Sequence, residues 1–122
     1  MKRDITKIED IKLLVDSFYD KVNADELLAP LFNIEAATDW ERHMPKMYQF
    51  WGTQLIGTMD YRGRPFPPNT KLDISPTHFK RWLKLFFETV DEYFEGATAE
   101  LAKYKATKIA NVFQYRLGFI KE

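Results

Sequence analysis

The chain contains no cysteine, which removes disulfides, thiolate zinc sites, iron–sulfur clusters and thiol nucleophiles together. Histidine is almost as scarce: His43 and His78 are the only two in 122 residues. No pair of histidines has metalloprotease spacing, and none of the five glycines belongs to a phosphate-cradling loop. Serine occurs only as Ser17 and Ser75, neither in a nucleophile elbow. Carboxylates are plentiful but scattered over polar faces, so no glycosidase-type pair stands out. Hydrolytic catalysis is not expected.

An excess of one charge is also missing. Eighteen Lys and Arg balance eighteen Asp and Glu, so the electrostatic footprint of a nucleic-acid binder is lacking. The longest stretch without a charge, Met47 to Met59, is too short to span a bilayer. The start, Met1-Lys2-Arg3-Asp4-Ile5, is followed by no apolar stretch of the signal-peptide kind. A cytoplasmic location is expected, with neither nucleic acid nor membrane as a partner.

What the chain does have is rings. Hydrophobic residues make up 45% and aromatics 16%, as ten Phe, six Tyr and three Trp. Each aromatic buries a large area, so the core must be built around them. The length fits one domain over residues 1–122.

Hydrophobic spacing predicts helices throughout, because the β-branched residues never alternate. Thr6 with Glu9 forms a capping-box pattern, followed by a face of Ile8, Ile11, Val15, Phe18 and Val22. Glu26 to Phe32 makes a short second piece. Thr38 with Glu41 repeats the capping pattern ahead of Trp40, Met44, Met47, Trp51 and Leu55, with Pro45 expected to kink or disturb the first turn. Gly57 to Ile74 lacks periodicity and predicts a long loop of the kind that usually carries function. Ser75-Pro76 restarts a helix at cap and first position, with Phe79, Trp82, Leu83, Phe86, Val90 and Tyr93 inward and Gly96 as the stop. Thr98 caps a last helix whose face is Ala102, Ala106, Ile109, Phe113 and Leu117. The fold class is all-α.

Two readings stand for His43. It is a partly buried imidazole bonded to a neighbour, or a metal or cofactor ligand facing an apolar pocket, since helical spacing sets it beside Met47 and Phe50. His78 falls in the first turn of its helix, where the positive helix end disfavours protonation; a surface or capping role suits it better. Tyr19 is either an amphipathic side chain at the core edge or a phenol donor aimed into a pocket. Trp51 and Trp82 read as core. The Lys80, Arg81 and Lys84 group reads as a solvated face, with carboxylates or propionates as the alternative partners.

Taken together, the sequence resembles the group III truncated haemoglobins, short two-over-two α-helical globins of bacteria. The resemblance rests on Phe18-Tyr19 with Lys21-Val22 and Leu28, on Trp40-Glu41-Arg42-His43 leading to Phe50-Trp51 and Leu55-Ile56-Gly57, on Tyr61-Arg62-Gly63-Arg64-Pro65, and on the run from Leu72 to Phe86. It implies a globin-like two-over-two helical sandwich that binds haem b and a small diatomic gas such as dioxygen. It sets Tyr19 and His43 on the distal side and Trp82 along the pocket, with Phe18, Phe50, Trp51 and Phe86 as apolar wall or core and Met47 and Phe79 as further cofactor-binding candidates. Tyr19 would donate a hydrogen bond to the bound diatomic. Peroxidase-like or nitric-oxide-detoxifying turnover and a homodimer are left open by the resemblance.

One departure outweighs the matches. The family's proximal histidine follows the Tyr-x-Gly-x-Pro run, and that position here is Asn69. An asparagine amide is a poor iron ligand beside an imidazole. Three alternatives follow: ligation by His43 from the distal side, ligation by His78 as a substitute, or a haem-free globin-like module for binding or sensing.

Overall fold

The computed structural model describes residues 2–57 and 74–118, the side chain of Glu35 excepted. The stretch from Tyr61 to Leu72, Asn69 included, lies outside the described residues. The order is α1 (Ile8–Ala24), α2 (Leu28–Pro30), a π turn (Leu31–Glu35), α3 (Trp40–Ile56), α4 (Pro76–Tyr93) and α5 (Ala97–Arg116). Among the described residues there is no strand, only an isolated bridge between Arg3 and Phe94. No helix among them is long and apolar enough to cross a membrane. The α1–α3 pair lies over the α4–α5 pair, with α1 packed on α4 and α3 on α5, which is the two-over-two arrangement.

Several helix starts differ from the sequence expectation. At α1 the carboxylate of Asp10, not Glu9, accepts the backbone N–H of Thr6 (3.0 Å) and of Lys7 (3.3 Å). Asp10 is buried and also pairs with Arg3, which fixes the cap one residue later. At α3 the cap position is Asp39, with no side-chain cap bond, so Thr38 and Glu41 do not act as a box. The helix is continuous through Pro45. The Glu41 carbonyl that a normal residue 45 would have bonded sits on an exposed residue, where water can satisfy it.

The α4–α5 corner is the clearest correction. Helix α4 ends at Tyr93, and Gly96 instead occupies the N-cap position of α5. Asp4, far away in sequence, accepts the N–H groups of Thr98 (2.9 Å) and Ala99 (2.8 Å), so the cap comes from the N-terminal segment and not from Thr98. Gly96 has φ +132°, and a Cβ there would lie 2.6 Å from Asp4 Cγ. Only glycine permits both that conformation and that approach.

The buried faces agree closely for α1, α3 and α4. In α1, Leu14 and Tyr19 join the expected positions, while Ile8 is half-buried; in α4, Leu83 and Tyr93 are half-buried. For α5 the closely packed residues are Ala99, Ala102, Ala106 and Ala110, whereas Ile109, Phe113 and Leu117 are half-buried. Small side chains let α5 approach its neighbours, so the tightest seam falls on alanines and not on the larger apolar residues.

Candidate functional site

Consecutive residues on a helix point about 100° apart, and α1 uses this to serve two neighbours. Phe18 meets α4 edge-on, with ring centroids 5.5 Å from Trp82 and 5.2 Å from Phe86. Tyr19, beside it, turns toward α3 and the π turn. Its ring lies 5.1 Å from His43, 5.4 Å from Trp40 and 6.0 Å from Phe32.

The π turn makes this meeting possible. The N–H of Ala36 bonds to the Leu31 carbonyl five residues back at 2.9 Å, which widens the turn by a residue relative to an α-helix. Phe32 is thereby buried while Asn33 remains exposed. Trp40 and His43 are three apart in the first turns of α3 and therefore share a face. Their rings are perpendicular at 5.4 Å, and Phe32 lies 6.0 Å from Trp40 and 6.5 Å from His43. Tyr19, Phe32, Trp40 and His43 thus form a closed cluster in which every ring touches every other.

A second group of rings lies deeper. Phe86 stacks on Trp51 (4.8 Å) and on Trp82 (5.8 Å), and Phe50 meets Trp51 edge-on at 5.3 Å. Phe18 borders Tyr19 at 4.9 Å and so joins the two groups. Met47 and Phe79 are buried in the same core. The sequence-predicted residues Phe18, Tyr19, His43, Phe50, Trp82 and Phe86 are therefore linked through rings. Asn69 falls outside the described residues. Phe32 and Trp40 complete the ring cluster; the sequence offered Phe32 only as the last residue of the short second piece, and Trp40 as a stripe residue and the start of the run that leads to His43.

The electrostatics of the cluster are those of neutral groups in apolar surroundings. Burial, reinforced by the like charge of Lys46, pushes the His43 imidazolium down to a pKa of about 4, so the ring is neutral at pH 7. Its Nε2 is buried and has no hydrogen-bond partner among the described residues. Burial pushes the Tyr19 phenol above its ordinary range, so it stays an O–H. Leaving a buried imidazole nitrogen unused costs about 1–3 kcal/mol unless a ligand or metal engages it. Of the two readings of His43, the one in which a neighbour bonds its imidazole therefore finds no partner for Nε2 among the described residues.

His78 is occupied differently. Its Nδ1 accepts the Ser75 N–H at 3.0 Å, with Ser75 Oγ also at 3.0 Å. This is the capping role, with the imidazole acting as the acceptor that a carboxylate would supply in a capping box. The Lys80, Arg81 and Lys84 group is not uniformly solvated: Arg81 is half-buried and pairs with Asp25. Asp25 in turn accepts the N–H groups of Leu27 (3.0 Å) and Leu28 (2.9 Å) and so starts α2.

Residues 4–114 match the bacterial-like globin family. The chain is 34% identical over 121 residues to the group 3 truncated hemoglobin ctb of Campylobacter jejuni, covering 96% of this chain and 95% of that one. It is 28% identical over 103 residues to the group 1 truncated hemoglobin GlbN of a Nostoc species, covering 84% and 83%. The crystal structure of the group III truncated hemoglobin from Campylobacter jejuni superimposes with a TM-score of 0.82 at 33% identity, covering 96% of this chain and 95% of that one.

Proposed function

Because the chain belongs to the bacterial-like globin family, we propose that it binds haem b and, with it, a small diatomic gas, and that His43 supplies the nitrogen ligand. The observation that carries this reading is the His43 Nε2: buried, on a neutral ring, and without a hydrogen-bond partner among the described residues. A neutral imidazole nitrogen in an apolar wall is the donor that haem iron favours. The residues present therefore fit the group on this side. Asn69, at the position the resemblance gives to the proximal ligand, offers only an amide. The engagement of His78 Nδ1 in the α4 cap further supports His43 as the ligand.

Haem, when bound, supplies an iron centre that takes a diatomic ligand reversibly. The protein's part follows from its own groups. Phe18, Trp82 and Phe86 exclude water from the deeper ring group, which strengthens every polar contact made beside them. Tyr19 keeps its proton and can donate it in a hydrogen bond to a small polar ligand. Trp40 and Phe32 hold His43 through edge-on ring contacts.

Titration of the purified full chain with haemin, followed by absorption, tests the reading. A sharp one-to-one endpoint with a low-spin, nitrogen-ligated spectrum is expected. His43→Ala should lose that spectrum, whereas His78→Ala should keep it. An unchanged spectrum in His43→Ala would show that the nitrogen comes from elsewhere. Asn69 favours a second reading, a haem-free globin-like module for binding or sensing, and a broad, non-stoichiometric titration would select it.

A further inference from the structure

Trp40 is the half-buried member of the four-ring cluster, and its indole is tied down from outside. The Nε1–H donates to Asn33 Oδ1 at 2.6 Å. Asn33 uses its amide nitrogen at the same time, donating to Asn23 Oδ1 at 2.8 Å and to the Ala29 carbonyl at 3.0 Å. Asn33 itself is exposed. One amide therefore links the end of α1, the short α2 and the first residue of α3. Such an arrangement fixes the Asn33 orientation, because its oxygen must face the indole and its nitrogen the two acceptors.

From this geometry we infer that Asn33 is a positioning residue for His43: by clasping the Trp40 indole to α1 and α2, it holds that ring edge-on against the imidazole and closes the solvent side of the site. The inference deepens the haem reading but rests on contacts within the chain alone. Trp40 can face His43 at 90° only while its own ring is kept from turning about its side-chain bonds. Phe32 stacks on one face of the indole at an interplanar angle of 21°, which opposes tilting but not rotation or sliding in the ring plane. The hydrogen bond to Asn33 supplies the missing restraint. With the clasp open, the indole is free to swing outward and water gains the edge of His43.

The experiment uses the full chain without added haem and follows two signals at pH 7: exchange of the Trp40 indole N–H by nuclear magnetic resonance, and the rate at which diethyl pyrocarbonate modifies His43, read by peptide mass spectrometry. In the parent protein the indole N–H is expected to be protected and His43 to react slowly. Asn33→Ala should abolish the indole protection and speed His43 modification several-fold. Trp40→Phe, which keeps a ring but removes the N–H, should speed it equally, and the double variant should add nothing further. If Asn33→Ala lowers thermal stability yet leaves the His43 modification rate where it was, Asn33 is merely structural and the inference is overturned. Failure of haemin to bind would overturn the haem reading while leaving these outcomes untouched.

Discussion

The imidazole of His43 is neutral over the ordinary pH range because burial against Tyr19, Phe32 and Trp40 disfavours its cation and Lys46 adds a like charge. In the unfolded chain the ring titrates near 6.5, in the folded chain near 4. Between those values the unfolded state binds more protons, so stability falls as pH drops through that window. The loss is on the order of 1–2 kcal/mol, given the ring's partial exposure and its screening by solvent. Urea midpoints measured at about pH 7 and about pH 4.5 should therefore differ less in His43→Leu than in the parent. An equal drop in both proteins would locate the pH sensitivity elsewhere. Tyr19 and His43 stood out in the sequence as a phenol and a rare histidine on apolar faces, whereas Trp82 read as core and gained a pocket role only through the resemblance. Asn33 did not stand out, since an exposed asparagine between helices is ordinary and its two-sided bonding depends on where α1 and α3 end.

Helix starts in this protein are governed by carboxylates placed from outside the local pattern. Asp4 caps α5 across the chain, and Gly96 leaves the room for it. Burial pushes the Asp4 carboxyl up, yet the N–H groups of Thr98, Ile5 and Ala99 together hold it below the usual range. Its folded pKa is depressed, so its contribution to stability is present above the unfolded value of 3.8 and is lost as pH falls further. Asp4→Ala should cost about 1–2 kcal/mol, the usual range for losing a cap. Gly96→Ala should cost about 1–3 kcal/mol from the unfavourable φ alone, with further displacement of Asp4. Because both act on one cap, chemical denaturation of the double variant should show less than the sum of the two losses. A sum that is fully additive would mean that Gly96 matters only for its own backbone. The expected Thr98 cap was a reasonable local reading that failed because a stronger acceptor arrives from residue 4, which no local pattern can announce.

Phe86 joins the helix layers. It stacks on Trp51 of α3 and Trp82 of α4 and meets Phe18 of α1 edge-on, with no exposed surface. Phe86→Ala should cost about 3–5 kcal/mol, from lost burial and the cavity left among rigid rings. That is a large share of the roughly 5–15 kcal/mol that holds a domain folded. Phe86→Leu should cost less and lower the denaturant midpoint without changing the slope of the transition, since the helices it joins unfold together. A changed slope, or two transitions, would mean that the α1–α3 and α4–α5 layers melt separately.

The sequence by itself determined the helical class, the order of the long helices and which faces of α1, α3 and α4 turn inward. Those properties follow from a periodicity that the backbone imposes on every amphipathic helix. Asn69, at the position where the resemblance expects a proximal histidine, is likewise a matter of identity and not of arrangement. Tertiary structure alone decided that Tyr19, Phe32, Trp40 and His43 close on one another, that His43 Nε2 is left without a hydrogen-bond partner among the described residues, and that Asn33 and Asp4 serve elements distant in the chain. The reason is physical: local spacing fixes the direction of a side chain within its own helix. What that side chain meets depends on how the π turn and the α4–α5 corner bring separate helices together.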